Sequence, residues 1–222
     1  SSEEFLQGIS RERVGMEMAK ILTGENVHSI ISQMLSLGVL DRVFENIHLE
    51  LPPELSTEYL VNLALLFRNS ELSGEELASK MRDLLVLSKN DLLEISIMHE
   101  CRYLSLDVTI ESARRFHAAV PDRRKRLIMS YLEKNGIETE EFDKLFRSIN
   151  PGDLILNPIV NGERLAIVTG LAPGPRLGRL KGWLHRRQVE EASRTEEDVL
   201  QFLLDIDWKS SDYQEWRALS WP

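Results

Sequence analysis

The sequence predicts an all-α protein built as an array of helices. Apolar residues recur at helical spacing in one stretch after another, and most stretches open on a Ser, Thr or Asn suited to capping. No segment of useful length alternates with period two, and Val, Ile and Thr do not cluster between turn signals. No internal repeat of fixed period stands out.

The elements follow in order. Ser10 is positioned to cap a helix through RERVGMEMAKIL, in which Val14, Met18, Ile21 and Leu22 form a stripe that Gly24 closes. Val27, Ile30, Ile31, Met34 and Leu35 give a second stripe that stops at Gly38. Leu51-Pro52-Pro53 breaks the pattern, because adjacent prolines cannot continue a helix. Ser56 opens a strongly apolar helix to about Phe67, whose run LVNLALLF is interrupted by Asn62 and reads as core. Ser73-Gly74-Glu75-Glu76 has the form of a capping box, in which the Ser oxygen accepts from the N3 amide while Glu76 reaches back. Ser88 caps KNDLLEISIMHECRYL, with Leu92, Ile95, Ile97, Met98 and Cys101 on broadly one side. Further helices are expected at about 109–118, 121–135 and 138–147. Past Asn150-Pro151-Gly152 the texture changes. NPGDLILNP is turn-rich, Asn161 caps a short helix from Glu163 to Val168, LAPGPRLG leads into a long helix from about 175, and Thr195 caps the approach to VLQFLLDIDW.

Composition narrows the function. The 222 residues hold 27 Lys+Arg against 36 Asp+Glu, a formal charge of −9, with 42% apolar and 28% charged residues. That is a globular chain, long enough for one large domain or two to three small ones. The single cysteine, Cys101, excludes an intramolecular disulfide and a cysteine-based zinc site. It fits a reducing intracellular setting: cytoplasm, nucleus or mitochondrion. No stretch approaches the ~18 consecutive apolar residues of a spanning helix, so no membrane partner is expected. The N-terminal SSEEFLQGIS has neither a basic n-region nor an apolar h-region, and a helix begins almost at once, as at a cut end of something longer.

A net acidic chain argues against nucleic acid, but the charge is uneven. Residues 111–190 hold 15 Lys+Arg and 10 Asp+Glu, a local +5. Charges beyond a Debye length of about 8–10 Å are largely screened, so an acidic surface elsewhere does not forbid docking on a basic face. On the helix from about 175, Arg176, Arg179, Trp183, Arg186 and Arg187 fall within about a third of the circumference. Lys181 lies on the same helix, and Leu177, Leu180 and Leu184 take the adjoining, core-facing sector. Gly174-Pro175 sits at its start, where Pro is tolerated and the amides and dipole favour an anion. Two readings stand: a phosphate-binding face, or a solvated helix face with a partly buried Trp. Arg123, Arg124 and Arg126 of the RRKR run point in different directions on a helix, so one or two at most can share an interaction face.

No catalytic motif is present. The chain has no Gly-Gly, no GxxxxGK[ST], no GxGxxG and no HExxH. His99-Glu100-Cys101 lies mid-helix with its side chains diverging, and Asp205-Ile206-Asp207 on a helix would splay its carboxylates by about 200°, so neither reads as a metal or catalytic set. No catalytic residue and no metal ligand is assigned.

Four stretches resemble the C-terminal half of class II CCA-adding enzymes of the poly(A) polymerase/tRNA nucleotidyltransferase family. ISRERVGMEMAKILTGENV (9–27) is similar to the helix after that family's nucleotide-binding region, MLSLGVLDRVF (34–44) to the turn into its body, and LLVLSKNDLLEI (84–95) to a body segment. NPIVNGERLAIVTGLAPGPRLGRLKGWLHRRQ (157–188) carries the tail pattern of Asn-Gly followed by GLxPGPxxG, the most specific of the four. The resemblance implies an elongated helical array with a neck at 1–50, a body at 51–150 and a tail at 151–222. The catalytic head is missing: the pair at 205 and 207 has no upstream Gly-Gly, and Glu197-Asp198 lacks the Arg of the EDxxR motif. The implied partners are tRNA and a head in cis. The full-length parent would use CTP, ATP and magnesium, while this portion holds no cofactor and is inactive alone. Gly174, Arg176, Arg179 and the basic residues that follow would meet the phosphates of the tRNA elbow. Arg11, Arg13 and Glu17 would support the head. The alternative is a helical protein-interaction module with no RNA role.

Overall fold

The structure, a computed structural model, describes residues 9–45, 47–154 and 156–222. Among the described residues there are twelve α-helices, four short 3-10 turns and no strand, so the fold is all-α. The chain divides into two compact units: the described residues of Ser1–Ser105 with Arg126–Thr139, and Leu106–Lys125 with Glu140–Pro222. No described helix is long and apolar enough to cross a membrane.

The first unit contains α1 (Arg11–Leu22), α2 (Val27–Ser36), α3 (Val39–Val43), α4 (Tyr59–Leu66), α5 (Gly74–Leu85) and α6 (Lys89–Glu100). The Ser10 hydroxyl accepts from the Arg13 amide at 3.3 Å and fixes the start of α1. Midway along, α1 presses so closely on α5 that a Cβ on Gly15 would run into the Leu85 carbonyl. Gly38 takes φ 66°, the left-handed conformation that lets the chain turn from α2 into α3. Every residue of α4 except Tyr59 is buried. The polar interruption in it, Asn62, is fully satisfied: its amide donates to the carbonyls of Leu22 and Ser56, both at 2.7 Å, and its oxygen accepts from the Ser56 amide. Ser56 therefore does not open α4 as expected. Held by Asn62, it sits upstream, and Glu58 takes the N-cap. The capping box at Ser73 forms in full, and Ser88 caps α6 through the Asp91 amide.

The second unit contains α7 (Ile110–Ala119), α9 (Glu140–Ser148), α10 (Gly162–Thr169), α11 (Pro175–Glu191) and α12 (Glu196–Gln201); the division falls within α8 (Asp122–Lys134). Thr109, Asn161 and Thr195 cap α7, α10 and α12 through their side chains. Phe116 on α7 meets Phe142, Phe146 and Trp221 at centroid distances of 4.4–5.6 Å. A separate core gathers Val160, Leu165, Leu177, Leu180, Leu184, Val199 and Trp216 around α11. After α12 the chain tightens into a 3-10 turn (Phe202–Asp205) and is extended at Ile206.

Candidate nucleic-acid interface

Helix α11 starts as expected, with an exposed Gly174 at the N-cap and Pro175 at the first helical position. Its apolar sector is buried and Trp183 is half-buried against the same core. Its arginines, however, face inward contacts. Arg176 donates to the carbonyls of Trp208 (2.7 Å), Lys209 (3.2 Å) and Ser211 (2.9 Å), and its guanidinium lies over the rings of Tyr213 and Trp216. Arg179, exposed, donates to the Gln214 carbonyl at 3.2 Å. The irregular segment from 208 to 216 is thereby strapped along α11.

At the far end of the helix, Glu190 collects the remaining positive charge. Its carboxylate, 7% exposed, accepts from Arg115 at 2.5 Å and Arg186 at 2.8 Å, with Arg187 at 3.7 Å; Arg114 donates to its carbonyl. Burial alone would raise the Glu190 carboxyl, but the hydrogen bonds and charges of Arg186 and Arg115 hold it below its ordinary value. Arg187 also pairs with Glu191 and Asp205 and lies over the Phe202 ring. A cleft of about 360 Å³ beside Trp183 is lined by Arg186, Arg187 and Arg217 but equally by Glu190, Asp205 and Glu215. Its charges cancel, so it offers no net attraction to a phosphate. Lys181, half-buried, makes no hydrogen bond or ion pair with the described residues. The α11 surface open to an anion therefore reduces to the Gly174–Pro175 end, Arg179 and Lys181.

The RRKR run diverges as its helical position requires. Arg123 is exposed and Arg124 half-buried; Lys125 pairs with Asp122 at 2.8 Å and Arg126 with Glu58 at 3.1 Å.

On α1–α3 the arrangement is different. Arg11 donates to the Asp83 carbonyl, joining α1 to the end of α5, and stands 3.9 Å from Glu45. Glu17 pairs with Lys20. Arg13 and Arg42 are exposed and have no side-chain partner among the described residues. A groove of about 450 Å³ with an apolar floor of Val14, Met18, Ile21, Met34 and Val43 carries Arg13 and Glu17 on its rim. An adjoining hollow of about 360 Å³ is lined by Arg11, Arg42 and Glu45. The arrangement suits a ligand with both a flat apolar part and a negative charge.

The titratable groups at 99–101 are bonded or buried by the fold. His99, fully buried, bonds the Leu72 carbonyl through Nε2, Glu100 accepts from the Gly74 amide, and burial pushes the Cys101 thiol up to about 11. No group of three metal-ligating side chains occurs among the described residues. Asp207 accepts from the Ser210 amide while Asp205 faces Arg187, so this pair does not fit a magnesium ion.

Residues 2–51 match a known family. Its description is "Probable RNA and SrmB-binding site of polymerase A". The match spans under a quarter of the chain and covers α1–α3, with residues 2–8 and 46 outside those described. No curated protein and no solved structure matches the chain. The match supports an RNA-binding role of the polymerase-A kind, on α1–α3. The matched segment holds 4 basic and 8 acidic residues, so composition draws no attention to it. Arg42 was not singled out in the sequence, and beside Asp41 it has no signal that would have done so.

Proposed function

We propose that this chain is the RNA-binding portion of a tRNA nucleotidyltransferase, a neck, body and tail that hold the acceptor stem and elbow of tRNA. The observation that carries this reading is the family match over α1–α3, the segment on which Arg13 borders an apolar groove and Arg42 the hollow beside it, neither with a side-chain partner among the described residues. The GLxPGPxxG resemblance at 170–178 supports a second contact at the start of α11, through helix-end amides with Arg179 and Lys181. Docking is by shape and phosphate charge rather than by sequence. Nucleotide addition from CTP and ATP with magnesium belongs to a head in which Gly-Gly precedes paired carboxylates, an arrangement that these 222 residues lack. A reducing intracellular compartment, whether cytoplasm, nucleus or mitochondrion, goes with that role.

Filter binding of unmodified tRNA at about 50 and 200 mM salt tests it: affinity should be measurable at the lower salt and fall steeply at the higher. No binding at low salt removes the reading. Incubation with tRNA, CTP, ATP and magnesium should add no nucleotide. A second reading, a protein-interaction module, is favoured by the acidic balance of residues 2–51 and by the family description, which names SrmB beside RNA. It predicts no tRNA affinity at either salt.

A further inference from the structure

Tyr103 stands apart from the other aromatic residues. It is 74% exposed, whereas every other described Phe, Tyr and Trp is buried or half-buried. One side of its ring is backed by Arg102, whose guanidinium carbon lies 4.9 Å from the ring centroid. That guanidinium is held in place: it donates to the His99 carbonyl at 2.8 Å and the Leu72 carbonyl at 3.3 Å, while the Asn135 amide donates to the Arg102 carbonyl at 2.8 Å. The Leu104 amide closes the turn on the Cys101 carbonyl at 3.0 Å. Arg102 forms no ion pair with a carboxylate among the described residues, and its Nε is buried without an acceptor.

We propose that Arg102 and Tyr103 form a stacking platform for an unpaired nucleobase, a contact site separate from the α1–α3 groove and the start of α11. The reasoning rests on the RNA reading and gives it a new element. Burying an aromatic ring is favourable, and a ring left open on a rigid mount is the arrangement that base stacking uses. The cation behind the ring makes a cation–π contact with it and, held by its own two carbonyls, stiffens the mount. A duplex hides its base faces, so the occupant is a nucleotide in a single-stranded stretch.

The test uses the 222-residue chain and two RNA hairpins, one blunt and one with a four-nucleotide 3′ overhang containing 2-aminopurine, whose fluorescence is quenched on stacking. Tyr103→Phe should bind and quench like the unaltered chain. Tyr103→Ala should bind the overhang hairpin about tenfold more weakly, lose the quenching, and bind the blunt hairpin unchanged. Unchanged binding and quenching in Tyr103→Ala, or equal weakening on both hairpins, overturns the platform while leaving the RNA reading intact. Failure of the unaltered chain to bind either hairpin removes both. Because Tyr103 is exposed, its replacement leaves the core untouched.

Discussion

Arg187 on α11 and Arg13 on α1 are both helix arginines in a basic or mixed stretch, and their surroundings differ in kind. Arg187 touches Glu190, Glu191, Asp205 and a Phe ring, and its neighbours Arg186 and Arg176 are equally engaged. Arg13 and Arg42 form no hydrogen bond or ion pair with a described side chain; Arg13 borders an apolar groove and Arg42 the hollow beside it. A net charge of +5 over 111–190 is thus compatible with few available cations, and an acidic segment with two available ones. What decides is whether a carboxylate or carbonyl already sits within hydrogen-bonding reach, because a partnered, half-buried arginine has little left to offer a phosphate.

The sharpest way to break this comparison is Glu190→Gln. It leaves Arg186, at 20% exposure, beside a neutral amide, and Arg115, at 13%, with only the exposed Asp107 at 3.6 Å; buried charge stripped of its main partner costs about 3 kcal/mol. All four tryptophans belong to the second unit, so their fluorescence during urea unfolding reads that unit. Glu17→Gln, which removes an exposed partner of Lys20, should stay within about 0.5 kcal/mol. The acid limb adds a check. A depressed folded-state pKa means that Glu190 stabilises fully above the unfolded carboxylate value of about 4.3 and loses that contribution as pH falls through its lower folded value. Glu190→Gln should therefore flatten the loss of stability below about pH 4. Equal stability of the two chains would show the α11 arginines to be freer than their geometry indicates.

Part of this was legible. Arg186 to Glu190 and Arg187 to Glu191 are i,i+4 pairs, and Arg187 to Glu190 is i,i+3, spacings that bring helix side chains together. The helix order and most caps were legible for the same reason: Ser10, Ser73, Ser88, Asn161 and Thr195 act over three residues. What periodicity cannot reach is tertiary or irregular. Arg115 comes to Glu190 across 75 residues, and the three carbonyls that receive Arg176 lie 32–35 residues downstream in a segment without helical pattern. Ser56 looked like a cap because its real partner, the Asn62 side chain, is set by the packing of α4. Tyr103 carries no signal at all, since the helical spacing of the apolar residues before it does not say which aromatic is left outside.

A smaller effect is expected from Arg176→Ala. Three charge-assisted bonds to carbonyls and two ring contacts are lost, yet the segment from 208 to 216 keeps Trp216 in the core, so the second unit should lose about 2 kcal/mol. Trp216, 5% exposed, should shift its emission to the red as the strap loosens. If stability and emission stay put while tRNA affinity drops, Arg176 serves RNA rather than the fold.

The smallest change in stability should accompany the most direct test of where RNA lands. Arg13→Ala combined with Arg42→Ala removes two exposed side chains without described partners, so unfolding should move by less than about 0.5 kcal/mol. If each meets one phosphate, the slope of log K against log salt should fall by about 1–2, with affinity at low salt weakened several-fold. Arg179→Ala combined with Lys181→Ala probes the α11 end in the same assay, and these are the two cations of that helix that the fold engages least. Loss of slope in both pairs means that tRNA contacts both α1–α3 and the start of α11. Loss only in the second pair would move the RNA contact off the matched segment and onto the tail. In that case unpaired charge would be a poor guide to binding in this chain, and the helix-end amides at Gly174–Pro175 would be the stronger attraction.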